Sequence, residues 1–364
     1  MRPKLTLLLI VTAATAARAQ QVPCPVVANV VAPDPSSLPK GLGVPMSAED
    51  WGQTLQMGFA ADLVWNGPLW ALSRPVRSLR AAAFVAWDKR DPIPIQSVET
   101  DRGPRRIVFV VENGKLISLA RRQVEATAVE EVLSGARPED SFALLTASGP
   151  RVALPFGSGR DAIQAAVDGL AYADLKMREG SAVLKCIVEA TTWFGSPENG
   201  DSIFLLARCP EFENSRADSA VRSALASRRV RLFTLGLDVM SNGYASSPFI
   251  ALGIESGGDW QQVGLLPRKG PAKPANIKAA REGAKVLYQV ATECYILRLQ
   301  RTNPETIIDL RMQDLAKMPW VRVIYPRPLP VCPPPVGPTP APGQNGLVPV
   351  TPWPGIPGWW FTGQ

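Results

Sequence analysis

The sequence contains no histidine in its 364 residues. That absence removes Ser-His-Asp and Cys-His nucleophile systems, imidazole general bases and His-containing zinc sites, because each needs the ring nitrogen. Cysteine is sparse: Cys24, Cys186, Cys209, Cys294 and Cys332 stand apart, with no Cys-x-x-Cys spacing to suggest zinc. After the first 20 residues no apolar run is long enough to span a bilayer. The 39 Lys plus Arg against 32 Asp plus Glu give a mild net charge of +7, without the basic block expected of a nucleic-acid partner. Any enzyme chemistry would have to run on carboxylates, Lys, Cys or Ser-Lys pairs. The expectation is therefore a protein that is not an enzyme.

What is present begins with an export signal. Residues 1–19 carry the positive Arg2 and Lys4, a short apolar run from Leu5 to Ala16, and Ala17-Arg18-Ala19 as a small-x-small cleavage site before Gln20. A secreted or periplasmic chain follows, with no transmembrane segment once the signal is removed. That compartment permits disulfides; two bridges plus one free thiol allow 15 connectivities, among which the sequence does not choose, and Cys24 and Cys332 flank the globular region that a bridge between them would close.

The 46% hydrophobic content supports a real core. Residues 20–54, rich in Pro, Ser and Gly, read as an extended leader. Residues 55–104 read as a small β unit, with strands at Ala61–Trp65, Ala83–Trp87 and Ile93–Ile95 and an Asn66-Gly67 hairpin turn. From residue 105 strands and helices alternate: strand 107–111, helix 118–133, strand 141–146, an edge strand at 152–156, helix 160–172, helix 181–193, strand 202–207, helix 218–227 and strand 230–236. That rhythm predicts an α/β fold with a mostly parallel sheet and helices on both faces. Residues 105–270 form this domain, and 271–325 add a helix at 277–291 and strands at 295–299, 306–310 and 321–325. Residues 326–364 form a disordered Pro-rich tail that ends with Trp353, Trp359 and Trp360.

Several motifs in this order are distinctive in combination. They are Pro138-Glu139-Asp140 before Phe142-Ala143-Leu144-Leu145-Thr146, Leu154-Pro155-Phe156-Gly157-Ser158-Gly159-Arg160 leading into a helix, Val230-Arg231-Leu232-Phe233-Thr234-Leu235-Gly236, and Ser256-Gly257-Gly258. From about Leu55 to Tyr325 the chain resembles von Willebrand factor A domains, in particular the bacterial exported "VWFA-related" proteins. The resemblance implies a doubly wound sheet with one antiparallel edge strand. It also implies a metal-ion-dependent adhesion site at the carboxyl ends of the strands, where an Asp, two Ser, a Thr and a second Asp hold Mg²⁺ and a partner's carboxylate completes the octahedron.

This sequence departs from that set. The first Asp falls on Glu112, the two serines on Gly114 and Leu116, the Thr on Ser181, and the second Asp on Arg208. One carboxylate and one hydroxyl beside a guanidinium do not make a Mg²⁺ site, so no metal and no cofactor are expected. Glu112 and Arg208 are expected to pair with each other across neighbouring strand ends, with Ser181 in hydrogen-bonding reach. Ser118 reads as a helix N-cap rather than a displaced hydroxyl ligand. Cys209 reads as a buried residue or half of a disulfide rather than a reactive thiolate. Gly157-Ser158-Gly159-Arg160 lacks the lysine and hydroxyl of a phosphate loop and reads as the start of a helix. The function expected is metal-independent binding of another protein. The alternative is an envelope-associated structural protein attached through its Pro/Trp tail, with the A-like domain as an inert scaffold.

Overall fold

The apolar run at 107–111 forms the middle of a strand buried on both faces, and the domain is layered around it. The computed structural model describes residues 25–33, 73–88, 90–114, 118–147, 150–170, 179–208, 215–239, 248–300, 308–313 and 322–327. All of these fall in one unit, Pro23–Cys332. Strand β6 (Arg106–Glu112) pairs in parallel with β7 (Ser141–Ala147) on one side and β9 (Ser202–Arg208) on the other. Outward from β9 lie β10 (Arg231–Val239) and then β11 (Trp260–Gly264), both parallel. Outward from β7 lies the two-residue β8 (Ala153–Leu154), the only antiparallel member, giving the order β11-β10-β9-β6-β7-β8.

Six helices among the described residues cover this sheet: α1 (Leu119–Gly135), α2 (Arg160–Asp168), α3 (Glu179–Thr192), α4 (Ser215–Arg228), α5 (Pro248–Glu255) and α6 (Pro274–Thr292). Side chains alternate along a strand, so β6 feeds two cores. Ile107, Phe109 and Val111 pack with Val124 and Ala128 of α1, Ile163 and Val167 of α2, and Ala284 and Leu287 of α6. Val108 and Val110 pack with Leu184 and Ile187 of α3, Val221 and Leu225 of α4, and Phe249 and Leu252 of α5. Burial on both faces explains why the sheet strands read as continuous apolar runs.

The remaining strands form two antiparallel sheets. In one, β1 (Val26–Pro33) pairs with β12 (Cys294–Leu299), β14 (Arg322–Ile324) and β2 (Ser73–Pro75), and β12 pairs with β5 (Ile95–Asp101). In the other, β3 (Phe84–Asp88) lies between β13 (Ile308–Met312) and β4 (Asp91–Ile93). The region read as a leader therefore contributes the strand on which the second sheet is built. The β unit read as separate has its partners downstream, since β5 and β3 pair with strands that follow the α/β domain. Such pairings join residues some 200 positions apart, and a local reading has no access to them. The boundary drawn at residue 270 also divides one core, because α6 packs beside α1 on the same face of the sheet. Expected strand Ala61–Trp65, the Asn66-Gly67 turn, residues 1–19 and the tail from residue 328 lie outside the described residues.

Two arginines at the amino ends of the core strands tie the sheets together. Arg105, fully buried just before β6, donates from Nε to the Ala291 carbonyl at 3.1 Å and pairs with Asp101 of β5 at 3.0 Å. Arg231, at the start of β10, donates to the same Ala291 carbonyl at 2.8 Å and to Asn29 of β1 at 3.3 Å. The carboxyl end of α6 carries unsatisfied carbonyls and partial negative charge, which the two guanidiniums satisfy. Cys294 lies buried beside them, and it and Cys186 are free thiols. Two bridges among five cysteines are therefore excluded, and at most one remains for Cys24, Cys209 and Cys332, which lie outside the described residues.

Helix α5 and strand β11 were not read from the sequence. The eight residues of α5 are almost all apolar or Gly and are mostly buried, so no amphipathic period marks them. The Ser256-Gly257-Gly258 motif that follows has a clear structural basis. Ser256 Oγ accepts from Leu232 N at 2.9 Å and donates to the Gly253 carbonyl at 2.8 Å. Gly257 has a φ of +83°, and a Cβ on Gly258 would stand 2.0 Å from the Leu232 carbonyl oxygen. Backbone atoms of β10 cannot give way there. Gly258→Ala should lower stability by about 3 kcal/mol or more, which thermal melting of the variant beside Gly135→Ala, whose Cβ meets nothing within 4 Å, will measure.

Candidate functional site

The carboxyl end of β6 places a carboxylate where water is largely excluded. Glu112 is 3% exposed, and an uncompensated charge there is costly. Its Oε2 accepts from Arg121 Nη2 at 2.7 Å and from the backbone N–H of Arg208 at 2.8 Å. Arg121 also donates from Nε to Glu125 at 2.9 Å. The result is a buried Glu112–Arg121–Glu125 triad spanning the end of β6 and the first two turns of α1.

Local sequence sets this up. Ser118 caps α1, with its Oγ accepting from Arg121 N at 3.2 Å. Arg121 then stands in the first turn and Glu125 one turn later on the same side. A cation in a first turn opposes the helix dipole. Here two carboxylates offset that cost, so although burial alone would lower the pKa of Arg121, Glu112 and Glu125 raise it further than burial depresses it. Glu125 fares differently. Burial pushes its carboxyl up to about 7 against the attraction of Arg121, and its Oε2 is buried without a hydrogen-bond partner.

The expected Glu112–Arg208 ion pair is thus replaced. The guanidinium on Glu112 is that of Arg121, and Arg208 contributes its main-chain N–H, which any residue but proline could supply there. Both strand ends do meet, as expected, but the charge comes from the helix. Gly114 is buried just beyond Asn113, which donates to the Pro150 carbonyl at 3.0 Å. Ser181 lies in the first turn of α3. The side chain of Ser181, and the whole of Leu116 and Cys209, lie outside the described residues. The helix-start reading of Gly157–Arg160 agrees with Gly159 as N-cap of α2. Arg160 additionally reaches the Leu133 and Ala136 carbonyls at 3.2 Å, closing the end of α1.

Arg121 and Glu125 do not stand at adhesion-motif positions, so the motif does not reveal them. A signal existed: the buried stripe of α1 runs Ala120, Val124, Ala128 and Val132, and two charges spaced i, i+4 sit beside it, between Ala120 and Ala128. Charges so placed announce an internal pair.

The strand order with its single antiparallel edge, and the loop leaving β6 at the carboxyl end between β7 and β9, settle the fold. The fold is von Willebrand A-like. No protein-family model and no curated protein matches the sequence. Among solved structures it is similar to an aerotolerance-related membrane protein from Bacteroides fragilis, at 14% identity and a TM-score of 0.36, over 50% of this chain and 98% of that one. It is similar also to BatB from Bacteroides thetaiotaomicron, at 15% identity and 0.36, over 50% and 98%. A third is proximal thread matrix protein 1 of the mussel byssus, determined with zinc in its adhesion motif, at 12% identity and 0.41, over 52% and 48%.

The A-like fold implies a hard divalent cation at this place, and the residues present do not fit one. The Oε2 of Glu112 is already engaged by two donors, Gly114 offers no side-chain oxygen, and a guanidinium stands beside the carboxylate. Among the described residues no group of three His, Cys, Asp or Glu side chains converges on a metal position.

The buried Glu125 makes stability depend on pH. Its folded pKa is raised from 4.5 to about 7, so the native state binds the proton more tightly than the unfolded chain. Its contribution to stability is complete below pH 4.5 and is lost as pH rises through about 7. No histidine titrates in that window. Denaturant midpoints should fall from about pH 6 to about pH 8 in the natural protein, and Glu125→Gln should flatten that slope.

Proposed function

We propose that this chain is an exported binding protein whose A-like domain recognises another protein at the carboxyl ends of its sheet strands, without a metal ion. The observation that carries this reading is the internal satisfaction of Glu112 by Arg121 and the Arg208 N–H. A partner's carboxylate has no cation to coordinate there, so recognition must run through the protein's own surface. Export rests on the amino-terminal signal. Consistent with it, no helix among the described residues is long and apolar enough to cross a membrane.

The two thiols among the described residues do not suit nucleophilic chemistry. Burial pushes Cys186 up to about 12 and raises Cys294 as well, which suits structural cysteines and not nucleophiles. Fold alone does not assign function, and the proposal stands or falls on the site. Adding millimolar Mg²⁺ or Mn²⁺ should leave the melting temperature unchanged, since a ligand selective for the native state must raise it. Partner capture from an exported protein fraction should be equal in EDTA and in Mg²⁺, and should survive deletion of the residues after Arg327. A metal-dependent rise in melting temperature, or capture lost in EDTA, would overturn the metal-free reading; capture lost with the tail would support attachment through the tail instead.

A further inference from the structure

Two of the three large apolar side chains exposed among the described residues occur at one end of the sheet. Leu119 opens α1 and is 47% exposed; Leu265 directly follows β11 and is 59% exposed. Strands β6, β9, β10 and β11 are all parallel. The end of β11 therefore lies at the same carboxyl end of the sheet as the end of β6 and the start of α1, with β9 and β10 between the two strands. Between β11 and α6 runs the loop Leu265–Lys273, with exposed Arg268, Lys269 and Lys273.

Those three cations are uncompensated. From Trp260 to Arg281 the sequence has no Asp or Glu. The two further cations of this stretch have partners, Lys278 with Glu282 at 3.7 Å and Arg281 with Glu131 at 3.4 Å. Arg268, Lys269 and Lys273 make no ion pair among the described residues. The loop is also held in place. Ala272 N donates to Gln123 Oε1 of α1 at 2.7 Å, Asn276 Nδ2 donates to the Leu265 carbonyl at 3.3 Å, and Leu266 is buried in the core. Pro267, Pro271 and Pro274 further restrict the backbone. A surface already ordered loses little entropy when a partner binds.

We infer that the shoulder formed by the Leu265–Lys273 loop and the first turn of α1 docks an acidic segment of a partner protein that carries apolar side chains. The inference rests on the binding-protein reading and names the chemistry of the partner. Where a metal-bearing A domain would present a dication to a carboxylate, this chain presents Arg268, Lys269 and Lys273, with Leu265 and Leu119 for the apolar side chains between the acids. The adjoining cleft between α1 and α2 carries Glu130 and Asp168, so the acidic segment lies on the loop and not in the cleft. An anionic lipid surface fits less well: three basic residues, with two leucines on separate elements, give only weak adsorption.

The test uses the full mature chain and three probes: a labelled peptide of alternating Glu and Leu, its Lys-Leu counterpart, and phosphatidylcholine vesicles with and without phosphatidylserine. The Glu-Leu peptide should bind, more weakly as salt is added. The triple variant Arg268→Glu, Lys269→Glu, Lys273→Glu should weaken it at least about tenfold and Leu265→Ser about threefold or more, with melting temperatures unchanged because these side chains are exposed. Absence of Glu-Leu binding, equal binding of the Lys-Leu peptide, unchanged affinity of the triple variant, or binding to phosphatidylserine vesicles alone would each overturn the inference. A natural partner captured equally by the triple variant would do the same while leaving the binding-protein reading intact.

Discussion

A carboxylate buried at the end of a core strand needs a positive charge, and the identity of that charge decides what this domain can do. Glu112 sits at the carboxyl end of β6, beyond five residues that belong entirely to the two cores. Free of a partner its charge would destabilise the strand end. Arg121 supplies the charge from within, and doing so fixes the start of α1 against β6. The same helix then presents Gln123 to the loop after β11 and packs against α6. An internal cation is permanent, as a guanidinium holds its charge at any physiological pH. A bound metal can be exchanged and can open a coordination position to a partner. Arg121 makes this strand end a structural joint between β6 and α1.

The opposite end of the sheet is organised by the same logic, with guanidiniums again answering negative groups. There the carboxyl end of α6 presents carbonyls and partial negative charge, and Arg105 and Arg231 cap them from the amino ends of β6 and β10. Arg105 continues to Asp101, and Arg231 to Asn29, so the second sheet is attached through these two side chains. A Cβ on Gly200 would approach Arg105 Nη1 to 2.6 Å, which shows how closely the chain wraps this guanidinium. Buried arginines are thus the joints of the molecule, each with acids or carbonyls around it.

Much of the architecture was legible because the strands of a doubly wound sheet announce themselves. The runs at 107–111, 141–146, 202–207 and 230–236 became β6, β7, β9 and β10, and the N-cap Ser118 starts α1 as its sequence context indicates. Less was legible where the determinant is non-local. Strand β1 has its neighbours near residues 295 and 323, and nothing around Val26 reveals them. Helix α5 is too apolar to show a period. At the site, Glu112 and the approach of Arg208 followed from the motif register, but the cation did not. Motif comparison looks only at positions where a ligand is expected, and Arg121 takes over the charge from a position where none is. Its spacing to Glu125 within a buried stripe was the available clue, readable from elementary helix geometry.

The account turns on Arg121 being the charge partner of Glu112, and a double-mutant cycle of Glu112→Gln and Arg121→Met measures that coupling directly. Arg121→Met should cost about 3 to 5 kcal/mol, because Glu112 is left buried without its charge partner, and Glu112→Gln should cost less, because Arg121 keeps its pair with Glu125. Removing both should cost well under the sum, with a coupling of about 2 kcal/mol or more. Single-variant losses that add to the double-variant loss within about 0.5 kcal/mol would show that the two side chains do not support each other, and would contradict the internal-cation account.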